Sequence, residues 1–278
     1  MTELRFSAPR SLAIAAVAGL LLVGVLAGAE APKPKLSPAA ERAVYPKPPK
    51  EVDALAQRDA LAFLEESVRW YDRTVTDYTG TFVKQERIDE ELGKIETMSM
   101  KFREKPFSVY LKWSDPSKGQ EVIFSQGRYD EKAVVHPSGL LGLIFRKVSL
   151  DPEGKLAMRH SRRPITFAGL GNMLRLAVGQ CKAAQAKGDL VLEYRGVHEE
   201  AGRPAYVFNR ILPDGKGYPC HQLFIRIDQE FLLPVRTEAY LWDGRLLSDY
   251  RYTDLDLNPG LTDEDFDPDN RAYGYRMF

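Results

Sequence analysis

The sequence predicts an α+β fold built on antiparallel strands, in one folded domain covering residues 52–278. Three observations predict it. Strand-like segments alternate apolar and polar residues, and the turns between them are too short for parallel neighbours, which need crossovers of about a dozen residues or more. An amphipathic helix precedes the strands, and a second helical segment divides them into two runs. No proline-rich or low-complexity break separates those runs, so they read as one unit.

The chain begins outside that unit. Arg5 and Arg10 flank the start of the apolar run 11–28, and Ala27 to Ala29 supply small residues for a cleavage site. Residues 1–29 therefore read as a signal peptide. At about 18 residues the run could also serve as an uncleaved anchor, but the small-residue end and the proline-rich sequel favour cleavage. Residues 30–51 hold too much proline and lysine to join a core and read as a semi-extended linker.

A helix follows, in which Leu61, Leu64, Val68, Tyr71 and Val75 recur at three- and four-residue steps. Strands then occupy 78–88, 94–104, 107–113, 120–126 and 131–136. The clearest pair is the hairpin at 98–113. Met100 and Phe102 share one face with Val109, Leu111 and Trp113, because a one-residue slip would turn the whole apolar set outward. That face should meet Leu64, Val68 and Tyr71 of the helix. Alternation alone leaves two readings open, a packed core or the lining of a cavity.

The run 138–145 shows no alternation. Its Leu140, Leu141, Leu143, Ile144 and Phe145 read either as a buried strand or as an apolar flap. Arg159, Arg162 and Arg163 precede a second helix at 165–187; they form either a solvated face or a contact for an anionic group. Strands resume at 190–199, 203–211, 221–228, 234–242 and 245–257, with Asp243–Gly244 as a hairpin turn. Residues 262–270 alternate aspartates but lack the glycine and distal glutamate of a calcium loop. They read as a solvated terminal turn capped by Thr262.

Composition narrows the chemistry. With 39 basic and 39 acidic side chains the net charge is zero, which gives no global pull toward nucleic acid. His136, His160, His198 and His221 have no metal-ligand spacing, and no nucleophile–base motif is present. No metal, cofactor or enzymatic activity is expected. Cys181 and Cys220 are the only cysteines. In an exported chain they are either bridged or two buried thiols, and the bridge is the expectation.

Two segments carry a family resemblance. "YTGTFVKQE" (78–86), directly after the amphipathic helix, resembles the first strand of the LolA/LolB and RseB/MucB superfamily of periplasmic lipoprotein-binding folds. Residues 227–266 are similar to its closing hairpin, with a tail represented by Asn258, Leu261, Asp263 and Phe266. "KFREKPFSVYLKW" resembles more particularly a secreted bacterial family known as a domain of unknown function. The resemblance implies a strongly curved antiparallel sheet, a half-open barrel, with the N-terminal and central helices closing its concave face. It also implies an apolar cavity between sheet and helices, lined by Met100, Phe102, Val109, Leu111 and Trp113 with Leu64, Val68 and Tyr71. The run Leu140–Phe145 would then stand at the mouth, with Arg159, Arg162 and Arg163 nearby.

The expected function is an exported, non-enzymatic protein, periplasmic or otherwise outside the cytoplasm and soluble after cleavage. It would hold an apolar ligand or a lipoprotein acyl chain, with only transient membrane contact. The alternative is a sensing or interaction module that meets an envelope protein partner on the same fold. N-terminal sequencing of the exported protein should return a chain beginning near Glu30; intact Met1 in the membrane fraction would contradict that reading.

Overall fold

From Asp77 onward the period-two pattern becomes a continuous ladder. The computed structural model describes residues 45–275, all within one compact unit; the expected signal peptide and most of the expected linker lie outside the described residues. The strands are β1 (Asp77–Ile88), β2 (Glu91–Leu92), β3 (Glu96–Arg103), β4 (Ser108–Asp115), β5 (Glu121–Ser125), β6 (Ala133–His136) and β7 (Val148–Leu150), then β8 (Val191–Glu200), β9 (Arg203–Ile211), β10 (Gln222–Asp228), β11 (Pro234–Tyr240) and β12 (Leu246–Leu257). They form one antiparallel sheet in the order β7-β6-β5-β4-β3-β1-β12-β11-β10-β9-β8, with β2 paired to β1. Two meanders thus meet at β1 and β12, and the sheet stays open between β7 and β8. The fold is α+β: a curved, half-open antiparallel sheet with helices on its concave face.

Register sets the inner face in rows. Tyr78 lies opposite Phe102, which pairs with Val109; Phe82 lies opposite Met98, which pairs with Trp113; Lys84 lies opposite Glu96. The hairpin residues therefore share the face that their alternation requires.

The first helix is two. Helix α1 (Val52–Arg58) and helix α2 (Ala60–Thr74) part at Asp59, whose extended backbone lets its carboxylate accept the Ala62 N–H at 2.9 Å. An aspartate is among the best N-caps, so the break satisfies a helix terminus instead of leaving it open. Helix α2 buries Phe63, Leu64, Trp70 and Tyr71, while Val68 is half-buried beside them. The described end of the linker also joins this core. Tyr45 packs edge-on against Trp70 and Phe231, and its hydroxyl donates to the Phe231 carbonyl at 3.1 Å.

The apolar run after β6 is neither a strand nor buried. It forms helix α3 (Gly139–Ile144), and Leu140, Leu141, Leu143, Ile144 and Phe145 are 53–79% exposed. Beyond β7 come a one-turn helix α4 (Lys155–Met158), a 3-10 turn at Ile165–Phe167 and the long helix α5 (Leu170–Gln185). The second predicted helix therefore starts later than its sequence pattern suggests, after Gly169.

Gly169 shows why. Its φ is +108°, and a Cβ there would stand 2.5 Å from the Phe102 ring. Glycine alone lets the chain turn into α5 while lying flat on that ring. Phe102 in turn stacks on Tyr78 at 4.9 Å, and the Tyr78 hydroxyl accepts the Leu170 N–H at 2.9 Å.

The tail closes the back of the sheet. Phe266, Tyr273 and Tyr275 form a second apolar cluster with Tyr110, Ile123 and Val134 on the convex face. Thr262 and Asp265 make a reciprocal capping box, as the expected terminal turn requires, but the turn is anchored and not merely solvated. Asn258 ties it to helix α2, accepting from the Thr76 N–H at 2.8 Å and donating to the Thr74 carbonyl at 2.7 Å. Replacing Gly169 by Ala should destabilise the protein by about 1–3 kcal/mol, from the strained φ and the clash with Phe102. Urea unfolding checks this, and an unchanged midpoint would contradict it.

Candidate functional site

The chain between β7 and β8 has to cross from one end of the sheet to the other. It does so over the concave face, and the helices fill only part of the space beneath it. At one end Phe102, Val109 and Met100 belong to the same buried cluster as Leu64 and Tyr71 of α2 and Leu170 and Leu174 of α5. At the other end a cavity of about 400 Å³ remains between the sheet and the crossover. That volume lies in the range of about 300–1,000 Å³ common for small-molecule sites.

Both meanders supply walls. Phe82, Met98, Leu111 and Trp113 line the cavity from one, and Leu223, Ala239, Leu247 and Tyr252 from the other. Leu156, Ile165, Met173 and Leu176 form the roof. Of the residues expected to line a cavity, Leu111 and Trp113 do so. Met100, Phe102 and Val109 lie on the same face but under the helices, and Leu64, Val68 and Tyr71 do not reach the lining. The physical reason is the row structure of the sheet: the same apolar face of β3 and β4 runs from the packed end, with Phe102, Met100 and Val109, into the cavity, with Met98, Leu111 and Trp113.

Hydrogen bonds from an ion-paired cluster on one wall pin the roof to it. The Lys84 ammonium lies 3.1 Å from Glu86 and 3.3 Å from Glu96. It also donates to the His160 carbonyl at 3.4 Å, and the Glu86 carboxylate accepts the Arg162 N–H at 3.3 Å. Trp113 Nε1 donates to Glu96 at 2.6 Å, and the Tyr250 hydroxyl donates to Glu86. Burial pushes the Tyr250 hydroxyl well above its usual range, and the Glu86 charge adds to the rise, so it stays a donor.

Arg162 and Arg163 line the cavity, whereas Arg159 is exposed and outside the lining. The exposed run from Leu140 to Phe145 does not line it either. The pattern missed Arg210, a fully buried arginine in the cavity wall. The signal was present. Arg210 follows Tyr206 and Phe208 at two-residue steps in β9, so alternation puts a charge on the aromatic inner face.

The cysteines correct the expected bridge: Cys181 and Cys220 are buried free thiols. Burial pushes the Cys181 thiol up to about 11 and raises that of Cys220, although the Arg210 charge works against both rises. Both stay protonated near neutral pH and pack as small apolar groups with a weak S–H donor. Among the described residues no group of three or more His, Cys, Asp and Glu side chains could hold a metal ion. No described helix is long and apolar enough to cross a membrane.

Residues 75–275 match the model of a family described as "Protein of unknown function (DUF1571)". No curated protein matches the sequence. Solved structures of similar chain path include MucB in the Pseudomonas aeruginosa MucA/MucB complex, 18% identical with a TM-score of 0.46 over 75% of this chain and 60% of that one. The Mycobacterium tuberculosis lipoprotein LppX is 14% identical with a TM-score of 0.43 over 74% of this chain and 98% of that one. A LolA superfamily protein from Nitrosomonas europaea is 13% identical with a TM-score of 0.29 over 73% of this chain and 97% of that one. The chain spans about three-fifths of the length of the MucB chains, 59–62%.

The thiol assignment is open to a direct check. Denatured protein that has seen no reductant should take up two alkyl groups by mass spectrometry, and native protein should take up none. Failure of the denatured chain to alkylate would restore the bridge.

Proposed function

The chain belongs to the DUF1571 family, and on the geometry above we propose that it is an exported, non-enzymatic protein that binds an apolar ligand in its half-barrel. A lipid or a lipoprotein acyl chain fits the lining. The observation that carries this reading is the cavity of about 400 Å³ bounded by apolar side chains of both meanders. A sheet face built to be filled would bring its helices down onto Leu111 and Trp113 as they come down onto Val109. Leaving a space there gives up contact energy that a packed core would gain, roughly 20 cal/mol per Å² of cavity surface. A ligand returns that energy on binding.

The polar side chains of the wall suit holding better than reaction. Lys84 is engaged by two carboxylates, and Cys220 is kept as a thiol. A nucleophile needs a nearby base or a lowered pKa. Export rests on residues 1–29, as read from the sequence. A second reading, a protein partner on the outer surface, is favoured by the exposed apolar side chains of α3.

Two substitutions separate a cavity from a filled core. Leu111→Trp should fill the space and weaken binding of the neutral probe N-phenyl-naphthylamine about tenfold, roughly 1.4 kcal/mol, with stability kept. Val109→Trp, on the packed part of the same strand, should instead destabilise by about 1–3 kcal/mol, as overpacking does. Equal destabilisation by both changes, with no probe binding by the parent protein, would contradict the proposal.

A further inference from the structure

The cavity contains a charge that the described residues do not balance. Arg210 is 0% exposed, yet no carboxylate of the described residues lies within ion-pair distance of it. The neighbouring strands treat their arginines differently. Arg203 pairs with Asp228 at 2.7 Å, Arg226 with Glu200 at 3.1 Å, and Arg236 with Asp249 at 3.0 Å. Each of those guanidinium groups is more exposed than Arg210 and has a partner. A buried cation without one is strongly disfavoured, because the group loses its hydration and gains nothing in return.

Its hydrogen bonds are also incomplete. Nη1 donates to the Gln180 side-chain oxygen at 2.5 Å and Nη2 to the Cys220 sulfur at 2.9 Å, both neutral acceptors. Nε is buried and has no acceptor among the described residues. A guanidinium has five N–H donors and binds a planar oxyanion through two parallel bonds. The acidic groups of the opposite wall cannot serve. Glu86 is four strands away in the sheet order, about 19 Å along its surface, and is already held by Lys84. The local field is positive as well: Cys220 feels Arg162 and Arg163 beside Arg210.

We infer that Arg210 is the anchor for an anionic head group, and that the ligand is an acidic amphiphile with an oxyanion at one end of an apolar body. This rests on the proposed ligand-binding role of the cavity and specifies its chemistry. Gln180 from α5 and Cys220 from the turn before β10 hold the guanidinium in place without neutralising it. The apolar body then lies along Leu223, Tyr252 and Met173 toward Leu111 and Trp113. Arg162 and Arg163, on the crossover, add to the positive field felt at Cys220.

The test compares matched ligands in displacement of N-phenyl-naphthylamine from the full exported protein. Dodecanoic acid and dodecanol share one chain and differ in charge; inorganic phosphate has the charge without the chain. The acid should bind about tenfold or more tightly than the alcohol, and phosphate alone should displace nothing. Arg210→Met keeps the bulk and removes the charge, so it should abolish the preference of the acid over the alcohol. Equal binding of acid and alcohol by the parent protein would overturn the role of Arg210 and leave the apolar cavity standing. Phosphate binding as tightly as the acid would overturn the amphiphile. Binding of neither chain would overturn the inference together with the function it rests on. Should Arg210→Met fail to fold, the acid-to-alcohol ratio of the parent protein decides the matter.

Discussion

The structure depends on one topological constraint: β7 and β8 lie at opposite ends of an open sheet, and residues 151–190 must join them. Eleven strands in hydrogen-bonded sequence measure roughly 48 Å along the curved surface. Helix α5, at 16 residues, is about 24 Å long. One helix cannot cover such a face. The crossover therefore packs tightly where α2 supports it and bridges open space where nothing does.

The tight end is held by direct contact. Gly169 lies against Phe102, Tyr78 receives the first amide of α5, and the Cβ of any residue but glycine at 171 would meet the Tyr71 ring. This fixes the start of α5 against the sheet and α2. The far end is held electrostatically, through Lys84 and Glu86 to the loop at His160–Arg162. Between the two attachments the roof spans the cavity. The apolar space is thus a consequence of how far apart the supports lie, and Arg210 sits in its wall beneath α5.

Sequence made the face legible and left the depth unreadable. Met98, Met100 and Phe102 pair across to Trp113, Leu111 and Val109, as strict alternation demands. Alternation, however, says which side chains share a face and nothing about how far a helix reaches over it; hence Leu111 and Val109 look alike in sequence and meet different surroundings. The break at Asp59 was hidden because the apolar stripe continues across it. The run Leu140–Phe145 left a buried strand and an exposed flap both open, because an apolar stretch without periodicity gives no sign of exposure; the structure removes the buried strand. Phe266, Tyr273 and Tyr275 were too sparse to announce a second cluster on the convex face. Arg210 was readable, being one residue in an aromatic series with the wrong polarity.

The central claim is that the space under the crossover is occupied by an apolar molecule in the working protein. Native mass spectrometry of the protein purified from its own cells, followed by solvent extraction, measures this directly. The account predicts a mass above that of the bare chain and recovery, on extraction, of a small molecule with an apolar body. A chain of bare mass, with nothing extracted, would contradict it.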